Sequence, residues 1–244
     1  MTKTELIDKI YVDFDHHIKT ASIDKINFGE VMTPIHLVET ILNKLPLHIW
    51  SNPNLKWLDP AAGCGVFSLI VIAKLMHGLK EYEPNEELRY KHIVEKMIYV
   101  CELQEKNIQL YKSSFNPNNT YKMNCMQQDF LKSNWENEFN VIIGNPPYNN
   151  INTGKGGRDL WMPFVRKSFE LLSQEGFLCM VHPSKWRKPN HDIFELFKNN
   201  NLIFLEIHNE KQGLKIFKAQ TRYDFYVLQK SYICESNKNK LLKI

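Results

Sequence analysis

Long apolar segments are missing from this sequence. The longest, from Val66 to Ala73, is interrupted by Ser68 and falls far short of the roughly 20 residues that a membrane span needs. The N-terminus also lacks an apolar run followed by a cleavage site, so no secretory signal is visible. We therefore expect a cytoplasmic protein with no membrane partner.

Cysteine and arginine are both scarce. The five cysteines form no C-x-x-C pair and none lies at zinc-finger spacing from paired histidines, which argues against a metal site and for reduced thiols. Only 5 of the 31 basic residues are arginine, and the net charge of +4 is too weak an excess to identify a nucleic-acid partner. Individual arginine positions are therefore more informative than the average charge.

Size and composition fit one large globular domain of 244 residues, with 43% hydrophobic and 24% charged residues. Seven apolar strands alternate with helical patterns, which predicts an α/β fold with a mostly parallel seven-stranded sheet and helices on both faces. We expect an N-terminal helical extension over residues 1–25, a main domain over 26–230 and a Lys-rich tail over 231–244. Before the first strand, Thr33 is predicted to cap a helix whose first residue is Pro34.

Polar residues end or closely follow four successive predicted strands: Asp59, Glu102, Asp129 and Asn145. In such sheets ligands bind beyond the carboxyl ends of the strands, which predicts that these residues share one site. Glu102 can accept hydrogen bonds from a ribose diol, and Asp129 can accept one from an exocyclic amine. Together they outline a nucleoside-shaped site.

The turn from Asp59 to Gly65 joins a predicted strand to a predicted helix. Its glycines permit tight backbone geometry and close approach to a ligand. The turn departs from the G-x-G-x-x-G dinucleotide pattern, because Ser68 stands where the third glycine would be. A P-loop pattern is also absent, which gives little support to hydrolysis of a nucleoside triphosphate.

The segment Asn145-Pro146-Pro147-Tyr148 directly follows a predicted buried strand. Pro146 keeps Asn145 out of the helical region, and both prolines lack N–H donors, so the loop is stiff and rich in acceptors. An aromatic amine is a poor nucleophile because its lone pair is delocalised into the ring. The Asn145 side-chain oxygen and the Pro146 carbonyl can accept its two N–H groups, while Tyr148 can stack on the base.

These residues resemble the motifs of S-adenosylmethionine-dependent DNA N6-adenine methyltransferases of restriction–modification systems, in the group whose cofactor motifs precede the catalytic motif. The resemblance covers about residues 26–230 and rests on five segments: 28–34, 59–65, 145–148, 176–186 and 213–217.

The resemblance implies a Rossmann-like methyltransferase fold with S-adenosylmethionine as cofactor and DNA as partner. The implied cofactor-binding residues are Thr33, Asp59, Ala61, Gly63, Gly65, Glu102, Asp129, Phe130 and Asn145. Asn145 and Pro146 would hold the target amine, and Tyr148 and Phe217 would sandwich the flipped base.

Basic residues flank the catalytic loop and the loop after the fifth strand. Those expected to contact the nucleic-acid backbone are Lys155, Arg158, Lys185, Arg187 and Lys188. Trp186, between two of them, is expected to pack under its loop. With the main domain ending near residue 230, no separate target-recognition domain is expected. Either the sequence is part of a longer protein that carries such a domain, or recognition falls to loops 149–158 and 184–191, to a specificity subunit or to a second copy of the chain.

Two alternatives remain open from the sequence. The Asn145–Tyr148 motif also occurs in enzymes that methylate an RNA adenine or a protein glutamine amide, although segment 28–34 favours DNA. A non-catalytic subunit with the same fold is the other alternative. It is disfavoured because Asp59, Gly63, Asn145 and Tyr148 are all present.

Overall fold

The structure is a computed structural model that describes residues 1–20, 33–136, 138–149, 159–188, 191–217 and 220–231. Parts of the segments singled out in the sequence lie outside these ranges: 21–32, loop residues 150–158 with Lys155 and Arg158, 189–190, and 232–244. The chain divides into two compact units, Met1–Asn134 and Trp135–Ile244.

The first unit contains five helices and three strands within its described residues. In chain order they are α1 (Lys3–Thr20), α2 (Ile35–Leu42), β1 (Trp57–Asp59), α3 (Val66–Gly78), α4 (Glu86–His92), β2 (Ile98–Glu102), α5 (Glu105–Phe115) and β3 (Asn124–Gln127). Short 3-10 or π turns lie at Leu47–Ser51, Ile93–Met97 and Phe130–Lys132. The strands are parallel in the order β3-β2-β1, with Asp59 opposite Val100 and Glu102 opposite Gln127. Their carboxyl ends therefore meet at one edge.

The start of this unit adds two details to the sequence prediction. Helix α1, within the predicted N-terminal extension, buries its residues at helical spacing, Leu6, Ile10 and Phe14. Helix α2 begins at Ile35 with Pro34 as its N-cap, one residue later than the predicted start at Pro34 with Thr33 as the cap. Pro34 holds an extended conformation there, with ψ at 139°.

The second unit contains three helices and four strands within its described residues. They are β4 (Phe139–Gly144), α6 (Trp161–Leu171), β5 (Leu172–Pro183), α7 (Asp192–Lys198), β6 (Asn201–His208), α8 (Glu210–Phe217) and β7 (Tyr223–Gln229), with a 3-10 turn at Ser184–Arg187 after β5. Strand β5 runs parallel to β4, whereas β7 lies between β5 and β6 and is antiparallel to both. The end of β5 thus lies beside the start of β7.

The seven strands follow the order β3-β2-β1-β4-β5-β7-β6, which confirms the predicted mostly parallel seven-stranded sheet. Among the strands of the second unit, β7 alone is reversed. Each unit contains strands that are fully covered: β1 is buried along its length, and in β7 every residue from Tyr223 to Leu228 is buried. No helix among the described residues has the length and apolar character of a membrane span.

Candidate active site

In the first unit, Asp59 closes β1 with a buried side chain that is 3% exposed. Its Oδ1 accepts a hydrogen bond of 3.2 Å from the Ala61 N–H, while its buried Oδ2 has no hydrogen-bond partner within the described ranges. Burial raises the pKa of Asp59 to about 8; the Ala61 N–H opposes the shift and the Glu102 charge adds to it. Among the described residues of its unit, no cation pairs with this carboxylate.

Glu102 closes the neighbouring strand β2 and ties it to the glycine turn. Its Oε2 accepts a 2.8 Å hydrogen bond from the Gly63 N–H, and its Oε1 accepts a 2.8 Å bond from the Gln104 N–H. A carboxylate has about four acceptor sites, so Glu102 can still accept from a ligand hydroxyl. Asp59 and Glu102 therefore lie at the same edge of the sheet, as predicted.

Two glycines of the turn have different reasons for lacking a side chain. Gly63 has φ of +54° and faces open space, since nothing lies within 4 Å of the position of a Cβ atom. Gly65 has φ of +101°, and a Cβ atom there would lie 2.6 Å from the Tyr111 ring and 2.7 Å from the Phe115 ring. Gly63 leaves room for a ligand, whereas Gly65 lets the start of α3 pack on α5.

Asp129 follows β3 at the same edge and caps a short helical turn. Its Oδ1 accepts a 3.0 Å hydrogen bond from the Leu131 N–H, and its side chain is 35% exposed. The preceding Gln128 N–H donates to the Glu102 carbonyl at 3.0 Å, which holds Asp129 close to the end of β2. Phe130 and Thr33 are both buried, and the predicted cofactor roles of all three residues remain predictions.

In the second unit, the segment Asn145–Tyr148 follows directly from β4 and is fixed at both ends. Pro146 is buried, Pro147 is exposed, and the Asn145 Oδ1 is buried although the residue as a whole is half-buried. The Tyr148 carbonyl accepts a 3.0 Å hydrogen bond from the Leu160 N–H, next to the start of α6. The loop is thus a stiff connection with a limited choice of conformations.

The Tyr148 hydroxyl is buried and has no hydrogen-bond partner among the described residues. Burial raises the pKa of Tyr148 far above its usual range, and the nearby Tyr223 and Asp224 add to the shift. Tyr148 is therefore neutral at any working pH. A neutral ring can stack on a base without burying a charge.

Aromatic rings surround the start of β7 in the same unit. His208 stacks on Tyr223 with ring centroids 4.3 Å apart, and Phe217 meets Tyr223 edge-on at 4.8 Å. Phe217, at the end of α8, is only 1% exposed. Contact between Phe217 and a base would require its neighbours to move, and this predicted role stays a prediction.

The sequence reasoning did not identify Asp224, which is fully buried at the start of β7. Its Oδ2 accepts a 2.9 Å hydrogen bond from Trp186 Nε1 and lies 3.1 Å from Arg187 Nε. Burial raises the pKa of Asp224 to about 6, against the opposing effects of Arg187, Trp186 and the His208 backbone. One signal was available: Asp224 is the only charged residue in the apolar run from Tyr223 to Leu228.

The loop after β5 carries the described members of the predicted backbone-contacting set. Trp186 is 1% exposed and stacks on Phe197 at 4.4 Å, which confirms that it packs under its loop. Lys185 pairs with Asp159 at 2.7 Å and is 57% exposed, Arg187 is 32% exposed, and Lys188 is exposed. No cluster of three or more potential metal ligands occurs among the described residues.

The fold is that of class I S-adenosylmethionine-dependent methyltransferases. A solved structure described as such an enzyme from Listeria monocytogenes superposes with a TM-score of 0.64 over 96% of this chain and 70% of that chain, at 16% identity. The M protein of the type I restriction enzyme EcoKI gives a TM-score of 0.64 over 83% of this chain and 44% of that chain, at 15% identity.

The family model described as Eco57I restriction-modification methylase matches residues 68–217, and the chain belongs to this family. An uncharacterized adenine-specific methylase of Mycoplasma pneumoniae is 26% identical over 84% of this chain and 68% of the relative. The type II methyltransferase M.BstVI of Geobacillus stearothermophilus is 27% identical over 66% of this chain. This chain spans only 34% of the length of that second relative.

Proposed function

We propose that this protein transfers a methyl group from S-adenosylmethionine to the N6 amine of an adenine in DNA. The observation that carries the proposal is the fixed, acceptor-rich loop Asn145–Tyr148 at the carboxyl end of β4, in a member of a restriction-modification methylase family. The names of the relatives, an adenine-specific methylase and a type II methyltransferase, support adenine and DNA over the alternatives.

The first unit offers a set of groups that fits the cofactor. The buried Asp59 Oδ2, which has no partner among the described residues, suits the ammonium group at the methionine end, and the open space at Gly63 suits close approach of a ligand to the backbone. Glu102 would accept from the ribose, and Asp129 with Phe130 would border the adenine ring. When bound, the cofactor supplies an electrophilic methyl group on its sulfonium.

The second unit would hold the acceptor nitrogen. The Asn145 side-chain oxygen and the Pro146 carbonyl would accept the two N–H groups of the amine, which favours a geometry with the lone pair directed out of the ring plane. The chain needs no covalent nucleophile for this chemistry, because the contribution of these groups is positioning of the amine.

An adenine inside a duplex is paired and stacked, so it must leave the helix before its amine can be held in this way. Tyr148 would stack on the flipped base, and its neutral, buried hydroxyl end leaves the ring as the part that meets the base. Recognition of the target sequence would fall to loops of the chain, to a specificity subunit or to a second copy.

The test supplies labelled S-adenosylmethionine with duplex DNA, RNA and protein in separate reactions. We expect label in DNA, recovered as N6-methyladenine, and sequencing of that DNA would give the recognised site. Label confined to RNA or to protein glutamine would overturn the DNA assignment. Cofactor binding without transfer to any of the three, even with partner subunits added, would favour a non-catalytic subunit.

A further inference from the structure

Asp224 is a carboxylate in the most buried part of the second unit. It is the second residue of β7, where it pairs in register with His182 of β5 on one side and with Ile207 of β6 on the other. Burying an ionised carboxylate is costly unless it is paired, so its partners explain its presence. His182 does not supply the positive charge, because burial lowers the pKa of His182 to about 4 and keeps it neutral.

The positive charge comes from the turn that follows β5. Arg187 Nε lies 3.1 Å from Asp224 Oδ2, and Trp186 Nε1 donates to the same oxygen at 2.9 Å. The turn is also attached by its first residue, since the Ser184 N–H donates to the Arg222 carbonyl at 3.2 Å. Asp224 thus connects β7 to two consecutive residues of the turn Ser184–Arg187.

Among the described residues, the ionic partner of Arg187 is Asp224. The Arg187 Nε atom is inaccessible to solvent and lies 3.1 Å from Asp224 Oδ2, an ion pair whose geometry does not make a hydrogen bond. The side chain as a whole is 32% exposed, so the exposed part lies elsewhere on the side chain. A guanidinium has five N–H donors in a planar fork, and the ion pair with Asp224 lies at the Nε position. The remaining donors suit a phosphate, which guanidinium groups bind in a two-pronged geometry.

We propose that Asp224 is a positioning residue that orients the Arg187 guanidinium for contact with a phosphate of the nucleic-acid backbone. The proposal rests on the proposed DNA substrate and adds a residue that the sequence motifs do not assign. A charge fixed by a buried partner loses less side-chain entropy on binding than a mobile one.

The test uses a variant for which long-range electrostatics and loss of positioning predict opposite changes in DNA affinity. Asp224→Asn removes a negative charge, so a purely long-range effect predicts tighter DNA binding. Loss of positioning predicts weaker binding instead, and the amide oxygen of the variant would still accept a hydrogen bond from the Trp186 N–H. We expect the Kd for a fluorescent mixed-sequence duplex to rise about 5- to 10-fold, as for loss of one charge-assisted contact.

Arg187→Gln supplies the second measurement. It should weaken binding similarly and lower the slope of log Kd against log salt concentration by about 1, as expected for one lost phosphate contact. In the double variant, Asp224→Asn should add little to the effect of Arg187→Gln, since both act through one contact. If either of these variants folds poorly, the DNA-binding measurement is repeated with Arg187→Lys. This variant keeps the positive charge but loses the planar guanidinium, so its DNA binding should also be weaker.

A matched control is the surface pair of Arg166 and Asp192, in which both side chains are about half exposed. Asp192→Asn should leave DNA affinity unchanged or slightly tighter. Each variant is checked for its melting temperature and for S-adenosylmethionine binding, which a local change in the second unit should not alter.

The outcomes separate this inference from the proposed function. Tighter or unchanged DNA binding by Asp224→Asn, in a protein that methylates DNA, would overturn the positioning role alone. Additive effects in the double variant would do the same. A wild-type protein that methylates RNA or protein and does not bind DNA would overturn the positioning role together with the DNA assignment.

Discussion

Each unit of the molecule buries an aspartate on one of its strands, but the charges around the two differ. Asp59 in the first unit has no cation beside it among the described residues, and its pKa is raised to about 8. Asp224 in the second unit also has one oxygen, Oδ1, without a described hydrogen-bond partner. Its Oδ2, however, forms an ion pair with Arg187 and accepts a hydrogen bond from the Trp186 N–H. The pKa of Asp224 is raised only to about 6. A buried carboxylate without a neighbouring cation indicates a binding site at which a ligand supplies the missing partner. A buried carboxylate beside a cation indicates a contact that holds two parts of the protein together.

The same contrast extends to the two loops that carry most of the proposed chemistry. The turn after β1 keeps open space at Gly63 and an acceptor at Asp59, so its contacts are incomplete within the described part of the first unit. The loop after β4 is tied to Leu160, and the turn after β5 is tied to Asp224. We infer that the first unit provides unoccupied hydrogen-bonding groups for the cofactor, and that the second unit holds the groups that orient the substrate.

The largest expected effect comes from Asn145→Ala in the second unit. Methyl transfer should fall by about 10³-fold or more, because a preorganised acceptor for the amine is lost. Binding of S-adenosylmethionine should be largely preserved, as measured by calorimetry on the folded variant. Asn199→Ala, at an exposed position just past the end of α7 and outside the proposed site, is the control and should keep near-normal turnover. Near-normal turnover of Asn145→Ala itself would contradict the role of Asn145.

The glycine turn provides the next test. Gly65→Ala should destabilise the protein by about 2–4 kcal/mol, because the new Cβ overlaps the Tyr111 and Phe115 rings and φ is positive. Gly63→Ala should cost only about 1 kcal/mol, since only the backbone conformation opposes it. Denaturant titration measures both. Equal losses for the two variants would remove the distinction between a ligand-facing and a packing glycine.

Most of the fold was predictable because its signals are local. All seven strands overlap the segments from which they were predicted. The signal is strongest in β1, β2 and β4, because buried parallel strands need continuous apolar sequence, and weakest in β3, which has no buried residue. Helix α8 was not predicted, as its residues Glu210–Phe217 include Gly213 and several polar side chains. Gly213 is needed there because a Cβ atom would lie 1.9 Å from the Thr221 carbonyl oxygen. This close approach depends on residues outside the helix.

The reversed direction of β7 was equally beyond local patterns. Strand direction is set by pairing with β5 and β6, and a buried antiparallel strand is as apolar as a parallel one. The candidate site divides in the same way. Asp59, Glu102 and Asn145 were predicted because they end or follow strands, whereas Asp224 begins one, and its partners Trp186 and Arg187 are distant in sequence.

Asp59→Asn addresses the unsatisfied carboxylate directly. S-adenosylmethionine affinity should fall about 10- to 100-fold, because a charge-assisted hydrogen bond to the cofactor ammonium is replaced by a neutral one. Calorimetric titration gives the Kd. The matched variant Asp224→Asn removes a charge from the second unit and should leave this Kd unchanged. If Asp224→Asn lost cofactor affinity and Asp59→Asn did not, Asp224 rather than Asp59 would be the aspartate that binds the cofactor.

The smallest expected effect is the pH dependence of stability. A carboxyl group whose folded pKa lies above its ordinary value of 3.8 makes folding less favourable as the pH rises between the two values. For Asp59 this loss develops as the pH rises from about 4 to about 8, and for Asp224 it is complete by about pH 6. At pH 8, Asp59→Asn should therefore raise the melting temperature by about 5 °C, and Asp224→Asn should raise it less, because that variant forfeits the ion pair with Arg187.

The gain from Asp59→Asn should shrink at pH 5, where the carboxyl of Asp59 is already protonated in the folded protein. Glu102 contributes to the shift of Asp59 by its charge, and so Glu102→Gln should make the difference smaller and complete at a lower pH. Melting curves of the cofactor-free protein between pH 5 and pH 8 measure all of these differences. An equal gain at pH 5 and pH 8 would show that Asp59 is already ionised in the folded protein at pH 5, and the contrast between a carboxylate completed by a ligand and one completed by its own unit would then fail.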